Sequence, residues 1–466
     1  MTSREVITFG LLRYSLPADP PPGAVTLKEV PFADPYRTYL AIRDRFSPSF
    51  LLESAPGPKR LAEYTFIGFA PRHVVALKGR RLFLDGVDVG PALDPLSFLR
   101  ELLSPYRTTS GEFKYLGGLV GYISYDFVGY LERLPERPDP EFPVFLLGLY
   151  LDGLIFDHNQ GRCFYFTFGD DRAEEVLAAG GDAPSGDFSL RSLETDTPKA
   201  RFLAQVERAK EYIRAGHIYQ VVLSRRLLAR FRGDPSTVYG RLRDLNPSPY
   251  MYFLDFGDVQ VAGSSPEMFL AVKGDRLFTC PIAGTRPVTG DPARDEAYRE
   301  ELLSDEKELA EHNMLVDLAR NDIGRVARFG SVRVSEYLKV ERFSHVQHLV
   351  SLVEGRLSEG KDAFDAFAAL FPAGTVSGAP KVRAMEIIAE LEEGPRGPYA
   401  GIVGYFSTNG NMDSAITIRT LFAKGRNLYL QAGAGIVADS VPAREWTETE
   451  KKLGALLAAL ELGVAP

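Results

Sequence analysis

Two pairs of glutamates carry the first chemical signal. Glu308 and Glu311 sit three apart in a stretch of helical composition, and Glu445 and Glu448 sit three apart in a later one. Three residues is nearly one helical turn, so each pair points to one side. Four carboxylates brought together would repel unless a cation lay between them. All-oxygen donors suit Mg2+, which keeps several waters and takes one or two protein carboxylates directly. The alternative is a pair of solvated helix faces, the usual place for charged residues.

Two glycine-rich segments add to it. In FPAGTVSGAPK, residues 371–381, small residues let the backbone approach a ligand, and a helix start just after them turns free N–H groups towards an anion. An ordinary loop and cap would read the same way. In QAGAGIV, residues 431–437, a strand rich in Gly and Ala exposes backbone to a close-fitting ligand, or else marks a bulge. Arg419 lies in the apolar run AITIRT, residues 415–420, where an arginine needs an anionic partner: a ligand or a structural carboxylate. Lys452 follows Glu448 by four, which also suits a plain surface ion pair. His345 and His348 are three apart; His348 can act as a base near neutral pH or be a satisfied structural residue.

Other chemistries are missing. There is no GxxxxGK[ST] loop, no GxGxxG opening a helix and no GxSxG elbow, and Gly433-Ala434-Gly435 alone is a weak dinucleotide signal. The only cysteines, Cys163 and Cys280, lack the glycine-rich surroundings of a glutamine-hydrolysing nucleophile. An enzyme needing ammonia from glutamine would therefore need a second subunit. Two cysteines make no disulfide framework, which fits a reducing cytoplasm. The net charge of -8 gives no chain-wide reason to bind nucleic acid or an anionic membrane. MTSREVITFG has no apolar signal region, and no apolar run reaches the roughly 18 residues of a membrane span.

The elements that must position these residues follow from periodicity. With 466 residues, 45% of them hydrophobic, there is ample material for a large core. Residues 1–168 read as strands and turns with a few helices. Residues 73–77 and 81–86 form a hairpin, the apolar run 144–151 extended by Leu154, Ile155 and Phe156 a buried strand, and 163–168 another. The polar, Gly/Asp-rich stretch 169–197 reads as a linker. Thr197 as cap and Pro198 in the first turn start a helix whose Phe202, Val206, Ala209 and Ile213 form one face, followed by a strand over 219–228. Residues 295–318 and 361–371 read as helices. Pro380 opens another, with Val382, Met385 and Ile388 on one face. Strands mixed with helices without βαβ spacing predict an α+β fold, with residues 198–460 as the catalytic region.

Taken together, the ordered motifs resemble the chorismate-utilising enzymes. They are Pro281-Ile282-Ala283-Gly284-Thr285, the run 305–322, FPAGTVSGAPK, residues 399–405, Ile418-Arg419-Thr420 and QAGAGIVADS. Leu51-Leu52-Glu53-Ser54 and residues 246–251 extend the likeness to nearly the whole chain. The family includes anthranilate, aminodeoxychorismate, isochorismate and salicylate synthases. Ala283 stands where aminodeoxychorismate synthases carry a nucleophilic lysine, and Gln220 where isochorismate and salicylate synthases carry a water-activating lysine. The combination resembles the large subunits of anthranilate synthases. Glu63 departs from the arginine common at its position.

The resemblance implies a fold of two antiparallel β-sheets packed as a sandwich with helices outside, shared by both regions. It implies conversion of chorismate and ammonia to anthranilate and pyruvate in tryptophan biosynthesis. A glutamine amidotransferase subunit would supply the ammonia, in a hetero-oligomer. Mg2+ would be held directly by Glu311 and Glu448, and through water by Glu308 and Glu445. Arg419, Tyr399, Lys452 and the backbone of Gly433, Ala434 and Gly435 would hold the enolpyruvyl carboxylate, with Gly284 and Thr285 lining the pocket. Glu267 would be the general acid, and His348, assisted by Thr375, the base. Glu53, Ser54, Pro249, Tyr250 and Met251 would bind tryptophan as a feedback inhibitor. An aminodeoxychorismate synthase, or a non-catalytic tryptophan sensor, is the competing reading.

Overall fold

The computed structural model describes residues 4–9, 12–17, 24–54, 63–178, 186–342 and 346–461. Its frame is two antiparallel sheets of twelve strands each, packed over a continuous apolar core. The expected sandwich is therefore present, and both halves of the chain build it. In one sheet Ile402–Ser407 pairs with Gly118–Ile123. In the other Tyr250–Asp255 pairs with Ser49–Glu53.

The apolar run around residue 150 is two strands, not one. Phe145–Tyr150 lies in the first sheet and Asp152–Asp157 in the second, so the chain crosses the sandwich at Leu151. Every residue of both strands is buried. With both faces covered there is no alternation to mark the break. The hairpin is as expected, His73–Lys78 against Arg81–Leu84. The stretch 169–197 contains a short helix, Ala173–Ala178, and the strand Phe188–Thr195, which pairs with Gln220–Gly233.

Three helical expectations shift. The helix Lys199–Arg214 starts one position late: Pro198 caps it, and the Thr197 hydroxyl bonds to Asp196 instead. The helical run from 295 is two helices, Pro292–Ser304 and Glu306–Gly324, divided at Asp305, whose carboxylate caps the second through the N–H groups of Lys307 and Glu308. In Lys381–Leu391, Met385 and Ile388 are buried but Val382, in the first turn, is 41% exposed. His345 lies outside the described residues.

Two helices flank the site. Glu306–Gly324 buries Leu315, Val316 and Ile323 and packs on Val346–Arg356 and Ile282–Pro287. Pro442–Ala459 buries Trp446, Leu453 and Leu456 over Asn427–Ile436. Among the described residues no helix is long and apolar enough to cross a membrane.

Candidate active site

A cavity of about 210 Å3 opens between the inner face of the strand pair Gln220–Gly233/Asn427–Ile436, the strand Ile282–Pro287 and the helix Glu306–Gly324. Strand alternation selects what enters it. Gln431, Gly433 and Gly435 face the cavity, while Leu430 and Ala434 face the outer helices. Ala434 turns its side chain outwards, which leaves its backbone, the part expected to hold a ligand, in the strand between Gly433 and Gly435. Gly433 is needed for room: a Cβ there would sit 2.9 Å from the Tyr399 hydroxyl and 3.0 Å from the Leu223 carbonyl. The Tyr399 oxygen accepts the Gly433 N–H, so strand and tyrosine fix each other.

His348 stands opposite Thr285 across the strand pair. Its Nδ1 is 2.8 Å from the Gly284 carbonyl and 3.1 Å from Thr285 Oγ1. A carbonyl only accepts, so Nδ1 carries the proton and Nε2 is the basic nitrogen. Burial pushes the ring down to about 4, with Arg419 adding to the effect, so it is neutral at pH 7. Gly284 has φ +65°, and the ladder shifts register between Ala283 and Thr285. That bulge presents the Gly284 carbonyl to the histidine.

Glu267 is 9% exposed, and burial pushes its carboxyl up to about 7 against the opposing pull of Thr375, Lys452 and Arg419. The Thr375 hydroxyl is buried beside it but has no hydrogen bond of good geometry, which leaves it available to a ligand. Arg419 sits in the break between Met412–Ile416 and Thr420–Lys424, at φ 50°, rather than within a strand. It forms no ion pair among the described residues, and burial lowers its pKa against the pull of Glu267 and Glu448. A desolvated guanidinium in a strained backbone position, without a carboxylate on it, is a site for an incoming anion. Lys452 reaches in from the outer helix, with Nζ 3.0 Å from the Gly433 carbonyl and 3.5 Å from Glu448.

Of the four helix carboxylates only Glu311 lines the cavity, where its Oε1 accepts from Gln220 Nε2 at 3.0 Å. Glu308 Oε1 is 3.5 Å from Arg286 Nη1. Among the described residues no three of His, Cys, Asp and Glu stand close enough together to hold a metal ion. The donor set nonetheless fits a hard divalent cation. Glu308 and Glu445 are both held above the usual carboxylate range, by burial first and then by repulsion from Glu311 and Glu448 respectively. Lys307, at the start of one helix, acts on Glu445 of the other, so the first turns of the two helices lie near each other.

Sequence reasoning missed the support behind the cavity. Arg396 is 2% exposed and spans Glu392, the Val376 carbonyl and the Val222 carbonyl, each at 2.7 Å. Glu392 in turn accepts from Ser224, whose hydroxyl accepts from Gln431. Val222, Val376 and Gln431 all line the cavity. The only sequence hint was the i,i+4 spacing of Glu392 and Arg396, which reads as surface.

The five residues expected around tryptophan divide between the faces of one sheet. Glu53 and Met251 are cross-strand partners and face the outer helices. The Glu53 carboxylate is taken by Arg243, at 2.5 and 3.0 Å, and by the Tyr239 hydroxyl, and Met251 is 2% exposed. Both therefore point away from the interior of the sandwich, because directly opposed residues share a face. Pro249 is buried before the strand. Ser54 and Tyr250 face inwards, onto a second cavity of about 340 Å3 with Phe278, Tyr405 and Met412. Its polar groups include the Lys114–Glu63 pair at 2.6 Å and Asp413, pushed up to about 6 by burial and bonded by Tyr250 at 3.0 Å.

The cavity thus brings Arg419 and Lys452 together with Glu267 and His348, between two sheets that both halves of the chain build. A family model described as chorismate binding enzyme matches residues 47–458, and the chain belongs to that family. It is 46% identical, over 93% of its own length and 94% of the relative's, to anthranilate synthase component 1 of Methanothermobacter thermautotrophicus. It is 44% identical to the protein of that name from Thermus thermophilus, over 92% and 96% of the two chains. The crystal structure of anthranilate synthase component I from Streptococcus pneumoniae superposes with a TM-score of 0.76 at 38% identity, over 87% of this chain and 93% of that one.

Proposed function

We propose that the chain is the chorismate-converting component of an anthranilate synthase: chorismate and ammonia give anthranilate, pyruvate and water. The observation that carries this is Arg419, half-buried and without an ion-pair partner among the described residues, in one cavity with a carboxyl that holds its proton near pH 7 and a histidine that does not. Arg419 and Lys452 bind a substrate carboxylate, and the Tyr399–Gly433 contact shapes the wall beside it. Glu267 gives its proton to the departing 4-hydroxyl as nitrogen bonds to the ring. His348 Nε2 then takes the ring proton as the enolpyruvyl oxygen leaves and the ring becomes aromatic. The Thr375 hydroxyl lies where it can steady either transfer. Glu308, Glu311, Glu445 and Glu448 would hold Mg2+, which when bound neutralises the ring carboxylate of chorismate.

The lack of a glutamine-hydrolysing cysteine supports a partner amidotransferase as the source of ammonia: Cys163 is buried and its thiol pushed up to about 12 by burial. The second cavity supports feedback by tryptophan, since its aromatic wall and few polar groups suit an indole and an ammonium. A chain of this kind would work in the cytoplasm.

The test is direct. Purified chain, chorismate, Mg2+ and ammonium salt should yield fluorescent anthranilate, and glutamine in place of ammonium should yield none. A non-aromatic amino product, no product, or turnover with glutamine by the pure chain would each refute the corresponding part of the reading.

A further inference from the structure

One residue of the glycine-rich motif has no part in the cavity. FPAGTVSGAPK ends on Lys381, which does not line the ligand space. Its Nζ is 2.6 Å from Asp322 Oδ2 and 2.8 Å from the Leu370 carbonyl. Leu370 ends the helix Ala363–Leu370, and Asp322 lies near the end of Glu306–Gly324. The Ala369 carbonyl is taken in the same way by Arg325 Nη1 at 3.1 Å. Two carbonyls that a helix end leaves open are thus filled by cations. Lys381 therefore closes the loop 371–380 at its base, and Asp322 ties that base to the helix carrying Glu308 and Glu311. A cavity of about 40 Å3 under the loop is lined by Glu267, Cys280, Asp322, Gly374 and Thr375 among others. Glu267 and Thr375 line the catalytic cavity as well. A Cβ at Gly374 would stand 2.2 Å from Leu318, so the loop lies directly on the helix there. Beyond Thr375 the loop is held by Arg396 at the Val376 carbonyl and by the pairing of Gly378 and Ala379 with Val221 and Gln220. Before Thr375, among the described residues, the hydrogen bonds of Ala373 and Gly374 stay inside the loop, which leaves its base as the hold on that side.

We propose that Lys381, paired with Asp322, is a positioning residue: it seats the Thr375 hydroxyl beside the Glu267 carboxyl. The proposal rests on the reading of Glu267 as the general acid. Energetics is the first argument. The two side chains are only 11% and 9% exposed, so the pair gives up much hydration, and apolar residues of like volume would hold a fold at least as well. Burial raises Asp322 and lowers Lys381, each against the pull of the other. What the pair supplies is direction, since one ammonium on two fixed acceptors sets where the loop base lies. Geometry is the second. The Thr375 hydroxyl has no hydrogen bond of good geometry, so its place beside Glu267 is set by how the loop sits. Chemistry is the third. A hydroxyl that donates to a carboxylate favours the charged form, and Thr375 opposes the rise that burial imposes on Glu267. Once the loop is loosened, Glu267 keeps its proton to a higher pH. The other ionisable groups around Glu267 are Arg419, Lys452, His348 and Glu311 in the catalytic cavity, and Cys280 and Asp322 in the small one. Removing Lys381 and Asp322 together leaves the net charge on that side unchanged.

Lys381→Met alone strands the Asp322 carboxylate and should lower the melting temperature. Lys381→Met with Asp322→Leu removes both charges and should melt close to the parent. In that double variant, at constant free ammonia, the fall of turnover with rising pH should move up by roughly half a unit or more. Turnover should drop about tenfold, with the chorismate KM within about twofold of the parent. Thr375→Val should move the pH limb in the same direction. Adding the double change to Thr375→Val should move it no further, because the pair acts through that hydroxyl. An unmoved limb in the double variant would make the pair a contact of the fold alone and overturn the proposal, as would an equal loss of stability in the single and double variants. A rise in the chorismate KM that matches the fall in turnover would overturn it too, by showing a displaced cavity wall. So would a limb shift that persists in full on Thr375→Val. A parent that makes anthranilate with a pH limb untouched by Glu267→Gln would overturn the reading of Glu267, and this role of Lys381 with it. A parent that makes no anthranilate would instead overturn the function reading itself.

Discussion

Glu267 and His348 reach their working protonation states by one cause, burial, acting on charges of opposite sign. Removing water penalises the charged form of each, so the acid rises to about 7 and the imidazole falls to about 4. At neutral pH the carboxyl still holds its proton in part and the ring has lost its own, the pairing an acid step followed by a base step needs. The active form of Glu267 is the protonated one. Turnover measured at constant free ammonia should therefore fall as pH rises through about 7. Glu267→Gln keeps the shape but has no proton to give, so turnover should drop by about 10²–10⁴-fold and that pH limb should vanish. A variant that kept both rate and limb would remove Glu267 from the chemistry. Glu311→Gln keeps the hydrogen-bonding reach to Gln220 but loses a ligand charge. It should melt like the parent yet be inactive, and normal turnover at limiting Mg2+ would exclude Glu311 from the metal.

The elements explain why so little tolerance exists around those groups. Gly433→Ala would press a methyl against Tyr399 and the Leu223 carbonyl. The strand cannot retreat freely, because Lys452 holds the Gly433 carbonyl and Gly433 is paired with Ser224 on the neighbouring strand. The chorismate KM should rise at least roughly tenfold with little change in melting temperature. Arg396→Met should do the reverse in emphasis: it strands the buried Glu392 carboxylate and costs about 3–5 kcal/mol. Chemical denaturation should show that loss, and an unchanged midpoint would deny the pair its role as support. These two positions also mark what was legible in the sequence. The glycines of QAGAGIV pointed to close backbone approach because a strand has no other use for so many. Arg396 was invisible because a charged i,i+4 pair on a helix end reads as solvated until tertiary packing closes over it. The break at Leu151 was hidden for a related reason: a strand buried on both faces carries no period. Glu53 and Ser54 are neighbours in the family segment, but strand alternation turns Glu53 to the outer helices and Ser54 to the second cavity.

At the scale of the whole molecule, each sheet runs unbroken from one half of the chain to the other, so the two large cavities are cut into the same sandwich. They share wall residues: Pro266 and Ile282 line both. Around them the chain alternates, with Glu267 on the catalytic cavity and Met268 on the second. A ligand wedged into the second cavity can therefore shift the segment that carries the general acid and the strand that leads to Gly284, without touching chorismate. Inhibition needs only that tryptophan bind one arrangement of this segment more tightly than the active one, and a coupling of about 1–3 kcal/mol is measurable. Ser54 is the place to test it. It lines the second cavity but not the first, and it lies in the connection after Ser49–Glu53, remote in sequence from every group assigned to catalysis. Ser54→Phe should fill the ligand space, so that millimolar tryptophan no longer inhibits while turnover of chorismate stays within about twofold of the parent. If the parent ignores tryptophan, the second cavity has some other occupant. If Ser54→Phe loses turnover together with inhibition, the filled cavity itself imposes the inactive arrangement, and the two sites are coupled too tightly for Ser54 to separate them.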